Sequence, residues 1–272
     1  MRAKSAAAPF GLWMFLFTVV PLGVVVWFAF TDETGAFTLA NIAAIGGYVG
    51  TFWESIKLGA ISTLLCLLLA YPLAYSISRS SARVQQTMVM IVMLPMWMNF
   101  LLRTYAWMSL LEDKGFINQF LDLLGLGPVH MINTDGAVVL GMVYNFLPYM
   151  VLPLYSVMVK IDGRVMEAAQ DLGANGANVF RRVVLPLSAP GIVSGITMVF
   201  VPAVSTFIIT KLLGGGKKML IGDVIEMMFT GSGRNYNVGA ALSLVLMVLM
   251  LLCMACMRFV DKDDEDLGGM MV

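Results

Sequence analysis

Residues 167–186 read Glu167-Ala168-Ala169-Gln170-Asp171-Leu172-Gly173-Ala174-Asn175-Gly176-Ala177-Asn178-Val179-Phe180-Arg181-Arg182-Val183-Val184-Leu185-Pro186, a polar exception in a chain that otherwise looks like membrane. Asp162 is placed to cap a short helix in which Met166, Ala169 and Leu172 share one face, and Gly173 supplies its stop. Asn175 is placed to cap a second helix with Val179, Phe180, Val183 and Val184 on an exposed apolar side. That helix is expected to end before Pro186, because the residue preceding a proline is steered out of the α region. Two short amphipathic helices joined at a glycine suit a groove on a soluble partner. Ala168 and Ala169 permit close backbone approach, and Glu167 offers a charge at the rim. The same pattern suits a hairpin lying on lipid headgroups, and the residues alone leave both readings open.

The surroundings of this stretch are apolar. Apolar residues make up 59% of the 272, charged residues only 12%, and the mean hydropathy is +0.85. Such a composition excludes an ordinary soluble domain. The 17 basic and 17 acidic residues cancel, so the bulk charge carries no nucleic-acid footprint. A hydrocarbon core about 30 Å thick takes about 20 apolar residues of helix. Six stretches qualify, at about 10–30, 56–78, 88–111, 137–158, 190–211 and 238–260. The expected fold is therefore an all-α membrane protein with six transmembrane helices in one domain over 1–272. The first stretch follows Arg2 and Lys4, but it is too long for a signal peptide's apolar core and lacks a clear small-residue cleavage site.

Basic residues set the expected orientation. Arg79, Arg83, Lys160, Arg164, Arg181 and Arg182, with Arg2, Lys4, Arg258 and Lys262 at the ends, fall on the face of the two termini. The opposite face holds fewer: Lys57, Lys114, Lys211, Lys217, Lys218 and Arg234. This asymmetry places both termini in the cytoplasm, and with them the loop 160–189. Pro21, Pro72, Pro95, Pro148, Pro153 and Pro202 lie within the apolar stretches and hint at breaks along a pathway. Cys253 and Cys256 have metal or redox spacing, but no second Cys/His pair accompanies them and His130 is the chain's only histidine, so no metal site is expected.

The spacing of Glu167-Ala168-Ala169, Gly173, Leu185 and Pro186 resembles the E-A-A-x3-G-x9-I-x-L-P signature of ABC importer permeases of the binding-protein-dependent, type I kind, with Val183 in place of isoleucine. The resemblance implies that Glu167, Ala168, Ala169, Gly173, Val183, Leu185 and Pro186 dock onto a separate ATPase. The loop would transmit closure of its nucleotide-binding dimer to the helices. Gly214-Gly215-Gly216-Lys217-Lys218 does not form a phosphate-binding loop, since Lys211 stands where the first glycine is needed and Met219 follows the lysines. It reads as an external turn. The chain is thus expected to be no enzyme and to bind no cofactor, with ATP and Mg on the partner ATPase.

Cargo is less directly written. Asn99, Arg103, Thr104, Tyr105 and Trp107 fall in the third stretch, and Tyr144, Asn145 and Tyr149 in the fourth. Polar groups at membrane depth are costly and usually face a bundle interior or an aqueous cavity. Aromatic faces with a few carboxylates suit an organic cation, and Arg103 argues the other way. Tyr105, Tyr144, Asn145, Asp223 and Glu226 are the pathway candidates. Leu102-Arg103-Thr104-Tyr105-Ala106-Trp107, Val201-Pro202-Ala203-Val204-Ser205-Thr206-Phe207 and Lys211-Leu212-Leu213-Gly214-Gly215-Gly216 resemble the B-type permeases of spermidine/putrescine importers. That resemblance implies polyamine cargo, a bacterial plasma-membrane location, a homologous C-type permease, a homodimeric ATPase and an extracytoplasmic polyamine-binding protein. A permease for an amino acid, sugar or oxyanion is the alternative. A secondary transporter would need inverted repeats and usually an embedded ion site, and no clear repeat is visible.

Overall fold

The computed structural model describes Pro9, residues 11–216 and residues 219–269, with side chains as far as Met257. Arg2, Lys4, Lys217 and Lys218 lie outside the described residues, as do the side chains of Arg258 and Lys262. In chain order the helices are α1 (Gly11–Ala29), α2 (Ala40–Ser78), α3 (Ala82–Trp97), α4 (Phe100–Leu111), α5 (Phe116–Leu123) and α6 (Asp135–Met158). They continue with α7 (Gly163–Asp171), α8 (Gly176–Leu187), α9 (Ala189–Ser205), α10 (Ile208–Leu213), α11 (Ile221–Thr230) and α12 (Tyr236–Gly269). Helices α1, α2, α6 and α12 are each long and apolar enough to cross a membrane, and the number rises to six if each of two bent pairs counts as one span.

The centre is a trio, α2, α6 and α9, in mutual contact. On α2 the buried positions Ser62, Cys66, Ala70 and Ala74 recur every fourth residue and are all small. On α6 Met142, Phe146, Met150, Leu154 and Met158 also recur every fourth residue, and all are large. Lipid tails are as apolar as leucine, so helices in a bilayer associate through close packing and hydrogen bonds, which small residues at the contact permit. The Ser62 hydroxyl donates to the Met142 sulfur at 3.2 Å across this seam. Helix α9 approaches α6 more closely still, since a Cβ at Gly191 would lie 3.1 Å from the Pro153 carbonyl oxygen and 3.2 Å from the Leu154 Cα. A larger residue there would push the two backbones apart.

Around the trio, α12 packs on α1, α9 and α11. Ala29 of α1 meets Ala240 and Ala241 of α12, another contact of small side chains. The rest of α1 is open, with Trp13, Phe17 and Trp27 more than half exposed. An apolar surface of this kind suits lipid rather than water.

Two expected stretches differ from single helices. The run 88–111 divides between α3 and α4, and Ala82–Trp97 is bent by 88° against Phe100–Leu123. Pro95 sits in a tight 3-10 turn, Leu94–Trp97, after which Met98 and Asn99 are extended. Asn99 then restarts the helix, its side chain accepting from the Leu101 N–H at 2.8 Å. It is an N-cap, which accounts for its polarity locally. The run 190–211 divides between α9 and α10 because Thr206 is extended, with ψ 144°. By contrast Pro72, Pro148, Pro153 and Pro202 lie inside continuous helices and break nothing.

Candidate functional site

The loop 160–189 is built by local capping. The Asp162 carboxylate accepts from the Arg164 N–H at 3.0 Å and starts α7. At its end the Ala174 N–H donates to the Ala169 carbonyl at 3.0 Å and the Gly173 N–H to the Gln170 carbonyl at 2.8 Å. This pair of bonds is the Schellman arrangement, which requires a left-handed residue. Gly173 provides it with φ +86°. Asn175 starts α8 by accepting from the Asn178 N–H at 2.9 Å.

Helix α8 does not stop before Pro186. A π-helical turn, Phe180–Val184, widens it, the Leu185 N–H reaches back to the Phe180 carbonyl, and helical geometry runs on to Leu187. A wider turn admits the proline ring, which would otherwise collide with the carbonyl four residues back. Ser188 then joins α8 to α9 at a 62° bend.

Exposure separates the signature residues. Glu167, Ala168 and Gly173 are exposed, Ala169 is half-buried, and Leu172 beside them is 90% exposed. Leu185 and Pro186 are exposed and Val183 is half-buried. The apolar side of α8 is offered outward only in part. Val179 and Val184 are buried, while Phe180 stays 39% exposed although its ring meets Tyr71 edge-on at 5.5 Å and Tyr75 at 6.4 Å. The bundle covers the rest of that face.

Three side chains of α2 and its C-terminal end complete this anchor, and sequence reasoning passed over their role in it. The Tyr71 hydroxyl lies 2.8 Å from the Ser188 hydroxyl, at the bend itself. Arg79 donates to the carbonyls of Ile161, at 3.1 Å, and Met158, at 3.4 Å. Its guanidinium also stands 5.6 Å from the Tyr75 ring centre. A cation at the last carbonyls of α6 complements the negative end of the helix dipole. The available signal was the spacing Tyr71, Tyr75, Arg79, which puts all three on one face of α2.

The five pathway candidates do not converge. Tyr105 is 46% exposed on α4. Tyr144 of α6 meets Trp107 of α4 edge-on at 5.3 Å. Asn145 is buried, its amide donating to the Gly141 carbonyl at 2.9 Å while its oxygen has no partner among the described residues. Arg103 is also buried, with Nε and Nη1 unpartnered among the same residues. Asp223 caps α11, accepting from the Leu220 N–H at 2.9 Å. Burial pushes its carboxyl above the ordinary carboxylate range, against the lowering effect of a hydrogen bond from Thr210. Glu226, three residues on, lines a cavity of about 510 Å3 walled by α9, α11 and α12. Neither Tyr105, Tyr144 nor Asn145 lines that cavity.

A bundle of apolar helices around a three-helix centre, carrying an exposed helix–glycine–helix loop tied to that centre, defines a polytopic membrane transport subunit. The chain belongs to the family of binding-protein-dependent transport system inner membrane components, which it matches over residues 62–263, the whole loop included. It is 39% identical over 244 residues to the spermidine/putrescine transport system permease protein PotB of Haemophilus influenzae, covering 86% of this chain and 85% of that one. Identity to the protein of the same name in Escherichia coli K12 is 36%, over 86% of this chain and 88% of that one. The fold matches a chain of a bacterial alginate ABC transporter, solved in complex with alginate pentasaccharide-bound periplasmic protein. The TM-score is 0.80 at 15% sequence identity, covering 96% of this chain and 94% of that chain.

Proposed function

We propose that this chain is a permease subunit of an ATP-driven spermidine/putrescine importer, forming half of the translocation pathway. A homologous C-type permease supplies the other half. A homodimeric ATPase, which holds ATP and Mg, docks at Glu167, Ala168, Ala169 and Gly173, with Leu172 entering its groove. A polyamine-binding protein docks on the opposite, extracytoplasmic face, both termini lying in the cytoplasm. The cargo reading rests on identity to permeases that bear polyamine names.

The observation that carries the coupling role is the pairing of an exposed Leu172 with a rigidly seated α8. A push on the loop passes through Phe180 and Ser188 into α2, and through Arg79 to Met158 at the end of α6. Closure of the ATPase dimer therefore tilts the central helices as a group, and alternation between two packed states follows. The exposed apolar side of α1 faces membrane lipid.

Reconstitution of the complete importer in proteoliposomes tests this reading. ATP-dependent uptake of labelled spermidine is the expected result, and Glu167→Lys is expected to lower uptake at least tenfold while the subunit still inserts. Uptake that persists without ATP would place the protein among secondary transporters. ATP-driven uptake of another solute alone would replace the polyamine cargo.

A further inference from the structure

The cavity walled by α9, α11 and α12 has a chemistry that the coupling loop does not explain. Its volume, about 510 Å3, falls in the range of small-molecule sites. Phe207, Phe229, Met247 and Met250 make most of its wall apolar, and Ser205, Thr230 and Ser243 add hydroxyls. Glu226 is the one charged residue lining it among the described residues. Ser205 is also the last residue of α9, so the negative end of that helix dipole lies at the cavity wall. Aromatic faces, a carboxylate and a helix C-terminus all favour a cation.

The Glu226 carboxylate is not idle. Its side chain is 27% exposed, and the Lys211 ammonium lies 3.4 Å from both of its oxygens while remaining 62% exposed. The Thr230 hydroxyl donates to Oε1 at 2.9 Å. Lys211 is not among the lining residues, so it reaches the carboxylate from outside the cavity. A lysine side chain is itself a primary ammonium on a flexible alkyl stem. The same chemistry is carried by either end of a linear aliphatic diamine or polyamine.

We infer that this cavity binds one primary ammonium end of a linear aliphatic amine, with Glu226 as counter-ion and Lys211 as a built-in competitor for the same carboxylate. The inference rests on the polyamine reading above and assigns a place in the chain to that cargo. An arriving ammonium displaces Lys211 into solvent, and the alkyl chain lies along Phe207 and Phe229. When the amine leaves, Lys211 returns, so the carboxylate is never left buried and unpaired. An internal competitor of this kind holds affinity down, which suits a site that must release its cargo.

The test uses the complete permease–ATPase complex in lipid nanodiscs, with equilibrium binding of labelled spermidine in the absence of the soluble binding protein. Lys211→Met is expected to lower Kd about two- to fivefold, the range of a largely exposed ion pair. Glu226→Gln is expected to raise it at least about tenfold. The double exchange Lys211→Glu with Glu226→Lys restores an ion pair but puts an ammonium at the cavity wall, and its binding is expected to stay as weak as that of Glu226→Gln. Unchanged or weaker binding in Lys211→Met, or recovery in the exchange, would show a structural ion pair and overturn the inference. Wild-type uptake of spermidine, measured alongside, separates the two failures. Uptake with variants that bind alike overturns this site alone, whereas no uptake of any linear amine overturns the polyamine reading and this site with it.

Discussion

The chain turns two corners, one of 88° between α3 and α4 and one of 62° between α8 and α9, and it turns them by different means. At the first, the helix stops: Met98 and Asn99 are extended, and a side-chain cap starts a new helix. At the second, helical geometry never lapses: the π-turn Phe180–Val184 absorbs Pro186, and Ser188 stays in the α region. A proline lies near each corner, so proline does not decide the outcome. What decides it is the neighbourhood. Asn99 offers a local cap that ends one helix and begins another. Phe180, Tyr71 and Ser188 offer tertiary contacts that hold a continuous helix at an angle. The first corner is local and self-contained, and the second depends on α2.

That distinction is open to attack by mutation. Phe180→Ala removes two edge-on ring contacts, each worth about 0.5–1.5 kcal/mol. If the second corner is held by α2, uptake by the reconstituted importer falls about tenfold or more while its basal ATP hydrolysis persists. Equal loss of both would make Phe180 merely a folding residue. Asn99→Ala removes a cap worth about 1 kcal/mol. Here the expected result is faster hydrogen exchange in the first turn of α4, with the ratio of ATP hydrolysed to spermidine moved unchanged. Gly173→Ala meets open space but forces a side chain into φ +86°, at a cost of about 1 kcal/mol. Its expected signature is a modest loss of ATPase retained on co-purification, without the uncoupling expected for Phe180→Ala.

The smallest effect concerns Asp223. Its carboxyl is raised above the ordinary 3.8, so the folded protein holds that proton more tightly than the unfolded chain does. The stability this lends is full below pH 3.8 and is lost as the pH rises through the raised value, leaving the ionised group a net cost near neutrality. Asp223→Asn keeps an acceptor for the Leu220 N–H and removes the charge. The melting temperature of the complex at pH 7 is expected to rise slightly, and the pH dependence just above 3.8 to flatten. A lowered melting temperature at pH 7 would mean that the negative charge itself is needed.

Much of the loop was legible because its causes are local. Asp162, Asn175 and Gly173 each act within a few residues of themselves, and each is found capping or closing the helix that its sequence position suggested. The burial of Val179 and Val184 on α8 was missed for the opposite reason. A stripe of Val179, Phe180 and Val184 says that something must cover it, and only the fold says that α2 does. Pro186 misled because a π-turn has no simple residue signature. Asn99 and Asp223 looked like pathway groups, yet each answers to a neighbouring backbone N–H. Polarity in an apolar chain marks an unmet need, and at Asn99 and Asp223 a helix start meets it.

The continuous α-helical part of α2, Val49–Ser78, has 30 residues, about 45 Å at 1.5 Å per residue, about one and a half times the thickness of the hydrocarbon core. One part of it carries Tyr71 and Tyr75 under the loop, and Arg79 follows directly. Another part carries Ser55, whose hydroxyl accepts from the Ile221 N–H at 2.8 Å, at the first residue of α11. Glu226 belongs to that same α11. A rod of this length that pivots by about 10° around its midpoint swings each end by about 4 Å, in opposite directions. A rotation of α2 would therefore move the loop's anchor and the start of α11, the helix that forms a wall of the cavity, together and by comparable amounts.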